Sequence, residues 1–465
     1  MKRQNSPIEA VVLAAGQGKR MASARPKVLH ELAGKAMLEH VLDTLTGLEA
    51  RATHVVVGHG AEAVRAAMEP RLPRPVGWVL QTEQRGTGHA VQLALPQIGD
   101  DALVLVLYGD VPLVTGATLA ACVAAAGADA LALVTAEFDD PAELGRILRD
   151  ETGAVRGIVE YRDAGPEQRA IREINSGILA APAGMLRRLL ERVRPDNAQG
   201  EIYLTDVVAL AVADGVRVEA VRTQDPVEVR GVNDRAQLAE LERAYQARET
   251  ARLLRSGASM ADPARVDVRG RVHTGRDCFL DVNVVLEGEV ALGDNVYIGP
   301  GAVIRNSQIG DGVRIEAHTV VDGAEIAAGC NLGPFARIRP GTRLLDGVKI
   351  GNFVEVKKSQ LGKGSKASHL AYLGDTEIGE DCNVGAGTVT CNYDGIDKHR
   401  TEIGDRVFVG TNSTLVAPLV IESDAFIAAG STITTRVKAA TLAVGRGRQR
   451  NVEGWVRPDR RKDKS

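Results

Sequence analysis

Three short stretches of this chain hold residue types suited to chemistry. The first, Leu13-Ala14-Ala15-Gly16-Gln17-Gly18-Lys19-Arg20-Met21 followed by Pro26-Lys27, sets glycines and cations at the end of an apolar run. Glycines let backbone N–H groups approach an anion, and Lys27 is placed to neutralise phosphate charge. The same Gly-x-Gly also suits an ordinary strand-to-helix turn. Two other phosphate signatures fail here. A P-loop needs Lys with Ser or Thr after its second glycine, and a dinucleotide fingerprint needs Gly where Met21 stands. The second stretch, Leu103 to Gly109-Asp110, ends a fully apolar run in a carboxylate. Buried parallel strands deliver ligands at their C-terminal ends, so Asp110 is expected to face a crevice. Aspartate there equally suits a helix cap. The third is Lys363 to Asp375, which breaks a regular repeat and holds His369. A neutral imidazole titrates near the operating pH, so His369 suits a general base; a lone loop histidine is more commonly a plain surface residue.

The elements that must position these residues follow from periodicity. An aliphatic residue, usually followed by Gly, recurs every six residues through the second half. The phase holds from Leu332 through Ile338, Leu344 and Ile350 to Val356, and again from Ile403 to Ile433. That beat predicts a parallel β-helix over roughly 262–436, each coil turning aliphatic side chains into the core. Lys363 to Asp375 and Cys391 to Thr401 break the beat and are expected to loop outward, where loops carry function. In the first half, strand-like runs at 11–15, 53–57, 76–81, 103–108 and 130–135 alternate with helical patterns, as in a parallel α/β sheet. Leu238, Leu241, Tyr245 and Leu254 then recur at helical intervals before Gly257, predicting one long linking helix. The expected division is a nucleotide-handling domain over 1–235, a linker helix over 236–256 and a β-helix domain over 257–465, whose basic end from Gly445 to Ser465 is expected to be loose.

Composition narrows the function classes. A chain of 465 residues exceeds what one core usually supports. A net charge of -3 and 3% aromatic residues give no footprint for nucleic acid. Five cysteines, widely spaced and without CxxC, suggest neither a disulfide framework nor a zinc site. No apolar run is long enough to span a bilayer. Small-molecule substrates and a cytoplasmic location are the expectation, with no nucleic acid and no membrane as partner.

The glycine-rich string resembles the signature of sugar-nucleotide pyrophosphorylases, which join a nucleoside triphosphate to a sugar 1-phosphate. Gln81-Thr82-Glu83-Gln84-Arg85-Gly86-Thr87-Gly88-His89 looks like the base-recognition loop of that family. The resemblance implies that Leu13, Ala14, Ala15, Gly16 and Lys27 meet the triphosphate, that Gln81, Gly86 and Thr87 read uracil, and that Tyr108 and Gly109 line the site. It implies Mg²⁺ held by Asp110 and Asn233; Asn233 also suits the cap of the linker helix. Gly145, Glu160 and Asn175 match the segments that grip the sugar. Leu144 and Ser176 depart from the aromatic and the Thr common in relatives.

Nearly the whole chain is similar to a family of bacterial bifunctional enzymes that acetylate glucosamine 1-phosphate and then uridylylate the product. Gly333 to Gly341, Gly351 to Lys358 and Gly362 to Leu370 carry that resemblance. It implies His369 as the base, Arg339 and Lys357 on the sugar phosphate, and Tyr372 and Asn383 on the sugar. Ala386, Asn392, Tyr393, Thr411, Ala429 and Arg446 would line the acetyl-CoA site; Thr411 stands where relatives carry Ser. The implied architecture is a Rossmann-like nucleotidyltransferase domain, a linking helix and a left-handed parallel β-helix of hexapeptide repeats, assembled as a homotrimer with acetyl-CoA between subunits. The product would be UDP-N-acetylglucosamine. Two alternatives compete: a pyrophosphorylase for another sugar nucleotide with a structural β-helix, which leaves His369 unexplained, and a non-catalytic scaffold, which need not keep Lys27, Asp110 and Asn233.

Overall fold

The computed structural model describes residues 6–455 and 457. The remainder of the basic end lies outside the described residues. The chain divides into two compact units inside the helix Arg235–Arg255, between Arg248 and Glu249.

The first unit is built on a sheet whose strands run in the order Val218–Arg222, Leu131–Glu137, Glu173–Pro182, Leu103–Tyr108, Ile8–Ala14, Ala52–Val57, Gly77–Leu80, with the hairpin Arg146–Arg149 and Val155–Val159 attached. Along Ile8–Ala14, Ala10, Val12 and Ala14 join one core while Val11 and Leu13 join another. Such two-faced burial is why the strand reads as continuously apolar. Its start lies earlier than the expected 11–15, because Glu9 is buried and paired with Arg51 at 2.6 Å and His54 at 3.1 Å. A charge inside the strand concealed its first residues. The sheet is also mixed rather than parallel, since Glu173–Pro182 is antiparallel to both neighbours. A hairpin, not a crossover helix, precedes that strand, so the chain returns in the opposite direction.

The helix Arg235–Arg255 buries Leu241 beside Met21, Met37 and Leu113 in the first unit. Near its end the buried residue is Leu253, part of the β-helix core, whereas Leu254 is 40% exposed. Among the described residues no helix is long and apolar enough to cross a membrane.

The second unit is a stack of parallel coils. One face is the column from Ser259–Met260 to Leu442–Ala443. Two further columns merge in the early coils, where Val266–Thr274, Val284–Leu292 and Val303–Ile309 each run through a corner. The aliphatic beat is the core: Ile298, Leu332, Ile350, Leu361, Leu415 and Ile427 are at most 1% exposed, and each buried side chain contributes about 1.5–3 kcal/mol. Coils pack closely at their corners. A Cβ added to Gly351 would strike the carbonyl oxygen of Ser368 on the next coil.

Only one of the two expected interruptions leaves the stack. Lys363 to Asp375 stays coiled: Lys366–His369 pairs with Lys349–Asn352 on one side and Asn383–Val384 on the other, and Tyr372–Gly374 continues the next column. The repeat looked broken because Ala367, not a larger aliphatic, occupies the core position, where it is fully buried. Across the second stretch the coil-to-coil offset grows to 25 residues, against 17 at His369, and the excess projects as a loop with Ile396 at its exposed tip. This loop is pinned from within. Asp394 Oδ1 accepts from the backbone N–H groups of Ile396 and Asp397, its Oδ2 meets His399 Nε2 at 2.6 Å, and Asn392 O accepts from His399 N at 2.8 Å.

Candidate functional site

In the first unit, the strands ending at Ala14, Val57, Leu80 and Tyr108 finish on one edge of the sheet. Leu13, Ala14 and Ala15 are buried there, while nothing fills the space that a side chain at Gly16 would take. The glycines lead into a short 3-10 turn, Lys19–Met21, rather than an α-helix. Any anion here would therefore meet loop N–H groups and side-chain cations, without a full helix terminus behind them.

Lys27 is the centre of this site. Its Nζ forms an ion pair with Asp110 and lies 3.4 Å from Asn233 Oδ1. Asp110 and Asn233 are far apart in sequence, yet both offer an oxygen to one cation. Asn233 is free to do so because the helix cap is Asp234, whose Oδ1 accepts from Gln237 N at 2.9 Å. A carboxylate and an amide oxygen converging on a positive charge suit Mg²⁺, which binds through one or two protein oxygens and keeps water and phosphate as its other ligands. Among the described residues no larger cluster of metal-ligating side chains occurs.

Tyr108 ties the remaining residues to this centre. Gly177 leaves room for its ring. Burial first, then the negative charges of Glu160 and Asp110, hold its phenol above the ordinary value, with a hydrogen bond to Thr87 partly opposing them. Gly109 donates its N–H to Leu13 O at 2.9 Å. Glu160 accepts from Thr205 Oγ1 at 3.2 Å, and burial raises its pKa, with Asp206 and Asp163 adding to the rise. Gly145 packs on the Glu160 carboxylate and accepts at its carbonyl from Asn175 N at 2.9 Å. Arg146, almost wholly buried, binds the carbonyls of Ala142, Leu144 and Arg169 and so fixes the loop presenting Gly145. Gln81, also buried, donates to Gly86 O at 3.2 Å.

In the second unit His369 is exposed, and its Nδ1 meets Asn352 Oδ1 at 2.7 Å. An amide oxygen only accepts, so Nδ1 carries the proton and Nε2 keeps its lone pair. The residue types alone give Asn352 no role; its signal is the 17-residue offset that puts it directly beside His369. Following the same register, Ala386, Thr411 and Ala429 fall in line with His369 on successive coils, forming one column along an edge of the stack. Thr411 and Ala429 are exposed along that edge, and the Arg446 side chain lies near Gly430 at its end.

The other residues occupy two faces. Arg339 pairs with Glu355 at 2.8 Å, Glu355 is in register with Tyr372, and Lys357 is in register with Gly374. Tyr372 and Asn392 close over Gly374, with Asn392 Nδ2 donating to Asp375 Oδ2 at 2.5 Å. Tyr393 is 60% exposed on the projecting loop. Asn383 is not brought to this group. It stands on the neighbouring column between Lys366 and Phe408.

Family models match the chain in both units: a MobA-like NTP transferase domain over residues 10–260, a bacterial transferase hexapeptide (six repeats) over 271–306, and a hexapeptide repeat of succinyl-transferase over 400–435. Full-length relatives are closer still. The Bifunctional protein GlmU of Marinobacter nauticus is 55% identical over 453 residues, covering 97% of this chain and 99% of that protein. Its counterpart from Alkalilimnicola ehrlichii is 55% identical over 457 residues, covering 98% of each, and that of Stutzerimonas stutzeri is 53% identical over 454. With an NTP-transferase sheet in one unit, hexapeptide coils in the other and identity extending through both, the chain belongs to the GlmU family of bifunctional proteins.

Proposed function

We propose that the two units carry the two halves of one synthesis. The protein is a bifunctional acetyltransferase and uridylyltransferase that makes UDP-N-acetylglucosamine from glucosamine 1-phosphate, acetyl-CoA and UTP. The observation that carries this reading is identity of 55% over 97% of the chain, spanning both units.

In the acetyl-transfer half, the amine nitrogen of glucosamine 1-phosphate attacks the thioester carbonyl. His369 Nε2 takes the amine proton as the C–N bond forms, and as the C–S bond then breaks the protonated ring gives that proton to the departing sulfur, so coenzyme A leaves as its thiol. Asn352 keeps the ring in the tautomer that can accept. In this reading Arg339 and Lys357 hold the sugar phosphate, Tyr372 and Asn383 hold the sugar, and Ala386, Asn392, Tyr393, Thr411, Ala429 and Arg446 line the coenzyme site. Asn383 stands on a different column from Arg339 and Tyr372, which supports a site completed by a neighbouring copy in a homotrimer.

In the uridylyl half, a phosphate oxygen of N-acetylglucosamine 1-phosphate attacks the α-phosphorus of UTP, and pyrophosphate leaves. Mg²⁺, held by Asp110 and Asn233, would draw charge off the phosphates when bound. Lys27 supplies positive charge at the same place. Leu13 to Gly16 offer backbone to the triphosphate, Tyr108 and Gly109 form the floor, and Gly145, Glu160 and Asn175 orient the sugar. We assign residues 1–235 to this half, 236–256 to the linker and 257–465 to acetyl transfer, in a cytoplasmic enzyme. Incubating the purified protein with glucosamine 1-phosphate, acetyl-CoA, UTP and Mg²⁺ and weighing the products tests the proposal. Omitting acetyl-CoA must stop the first product, and omitting UTP must leave N-acetylglucosamine 1-phosphate to accumulate.

A further inference from the structure

Gln81 is 4% exposed, at the end of the strand Gly77–Leu80. Both hydrogens of its side-chain amide are used inside the protein. Nε2 donates to Gly86 O at 3.2 Å and to His89 Nδ1 at 3.1 Å. Gly86 O is a carbonyl and can only accept; His89 Nδ1 accepts when the ring proton sits on Nε2. Rotating the amide by half a turn would set its oxygen against the Gly86 carbonyl and demand a proton on His89 Nδ1. The Gly86 carbonyl is also engaged by the backbone, accepting from Ala90 N at 3.2 Å. Gly86 adopts a left-handed φ of 108°, and a Cβ there would lie 2.5 Å from Ile202 O. Oε1 of Gln81 accepts no hydrogen bond from the described residues, so the one unused valence of this side chain is an acceptor.

We infer that His89 is a positioning residue that sets nucleobase choice by locking the Gln81 amide with its oxygen toward the base. The inference rests on the reading that Gln81 faces the nucleobase of UTP. A locked acceptor matches the N3–H of a uracil ring. It opposes cytosine, whose N3 presents a lone pair at the same place, and a site with its polar group fixed discriminates more strongly than one free to rotate. His89 lies on the helix Thr87–Ala94, so its ring is carried by a regular element rather than a loose loop.

The test compares kcat/KM for UTP and CTP, with N-acetylglucosamine 1-phosphate as acceptor, in the full-length protein and in His89→Phe and His89→Asp. Phe keeps the bulk and removes the acceptor; Asp restores an acceptor. The expected result is that His89→Phe lowers the UTP-to-CTP ratio about ten-fold, the scale of one buried hydrogen bond, and that His89→Asp retains most of it. Thermal unfolding of the same preparations, with the transition of the first unit matching that of the unaltered protein, reports intact protein. Parallel loss with both nucleotides in both variants, or no change in the ratio, would overturn the role of His89. Failure of the unaltered protein to use UTP would instead remove the functional reading, and this inference with it.

Discussion

Asn352 and His369 stand directly opposite each other on adjacent coils, joined from Oδ1 to Nδ1 at 2.7 Å. The pairing holds the imidazole with Nε2 as its basic nitrogen. Asn352→Leu is expected to lower kcat of acetyl transfer about ten- to a hundred-fold, and His369→Ala further, since a positioned base contributes about 10²–10⁴. Uridylyl transfer in both variants should match the unaltered protein. Equal losses in both reactions would contradict separate sites.

Lys27, Asp110 and Asn233 make a separate prediction about metal. Chelating divalent cations should abolish uridylyl transfer and leave acetyl transfer intact, because the proton transfer proposed for His369 involves no metal. Asp110→Asn keeps the shape but removes the charge, and should shift the Mg²⁺ dependence of UTP turnover to higher concentration. An unchanged Mg²⁺ titration would exclude Asp110 as a ligand.

Glu160 makes a prediction about stability. Burial raises its pKa, with Asp206 and Asp163 adding to the rise, so the folded state holds its proton more tightly than the unfolded chain does. Stability from this group is therefore present at low pH and is lost as pH rises through the raised value. Glu160→Gln should raise the thermal midpoint of the first unit at neutral pH and flatten its decline with pH, while KM for N-acetylglucosamine 1-phosphate increases. A lower midpoint at neutral pH would refute this assignment of the strain.

Gly351 tests the stack itself. Gly351→Ala forces a methyl group toward Ser368 O on the following coil and should destabilise the second unit by about 1–3 kcal/mol. Thermal unfolding followed with UTP turnover as a second readout should show the second unit melting earlier and the first unit unaffected.

Much of this was legible in the residues. The aliphatic beat located the coils because each beat is a core position, and the apolar run to Tyr108 ended, as expected, at the sheet edge holding Asp110. What the residues hid has physical causes. Glu9 reads as exposed because its partners Arg51 and His54 are distant in sequence. The reversal at Glu173–Pro182 depends on a hairpin whose strands are only four and five residues long. Ala367 imitates a break because pattern reading weighs side-chain size, whereas the coil counts residues. That error also concealed Asn352: its place beside His369 is plain only once Lys363 to Asp375 is recognised as one more ordinary turn. Asn233 looked like a helix cap because Asp234, next along, does that work.

The edge that carries His369, Ala386, Thr411 and Ala429 behaves as a graduated ruler. Neighbouring strands lie about 4.8 Å apart, so Ala429 sits roughly 14 Å from the histidine along the axis. Reach along this edge is quantised in whole turns of chain: excising one turn between them would shorten the scale by a single division, and under the proposed function a long, extended acyl carrier gripped at its far end would then overshoot the base with its reactive tip.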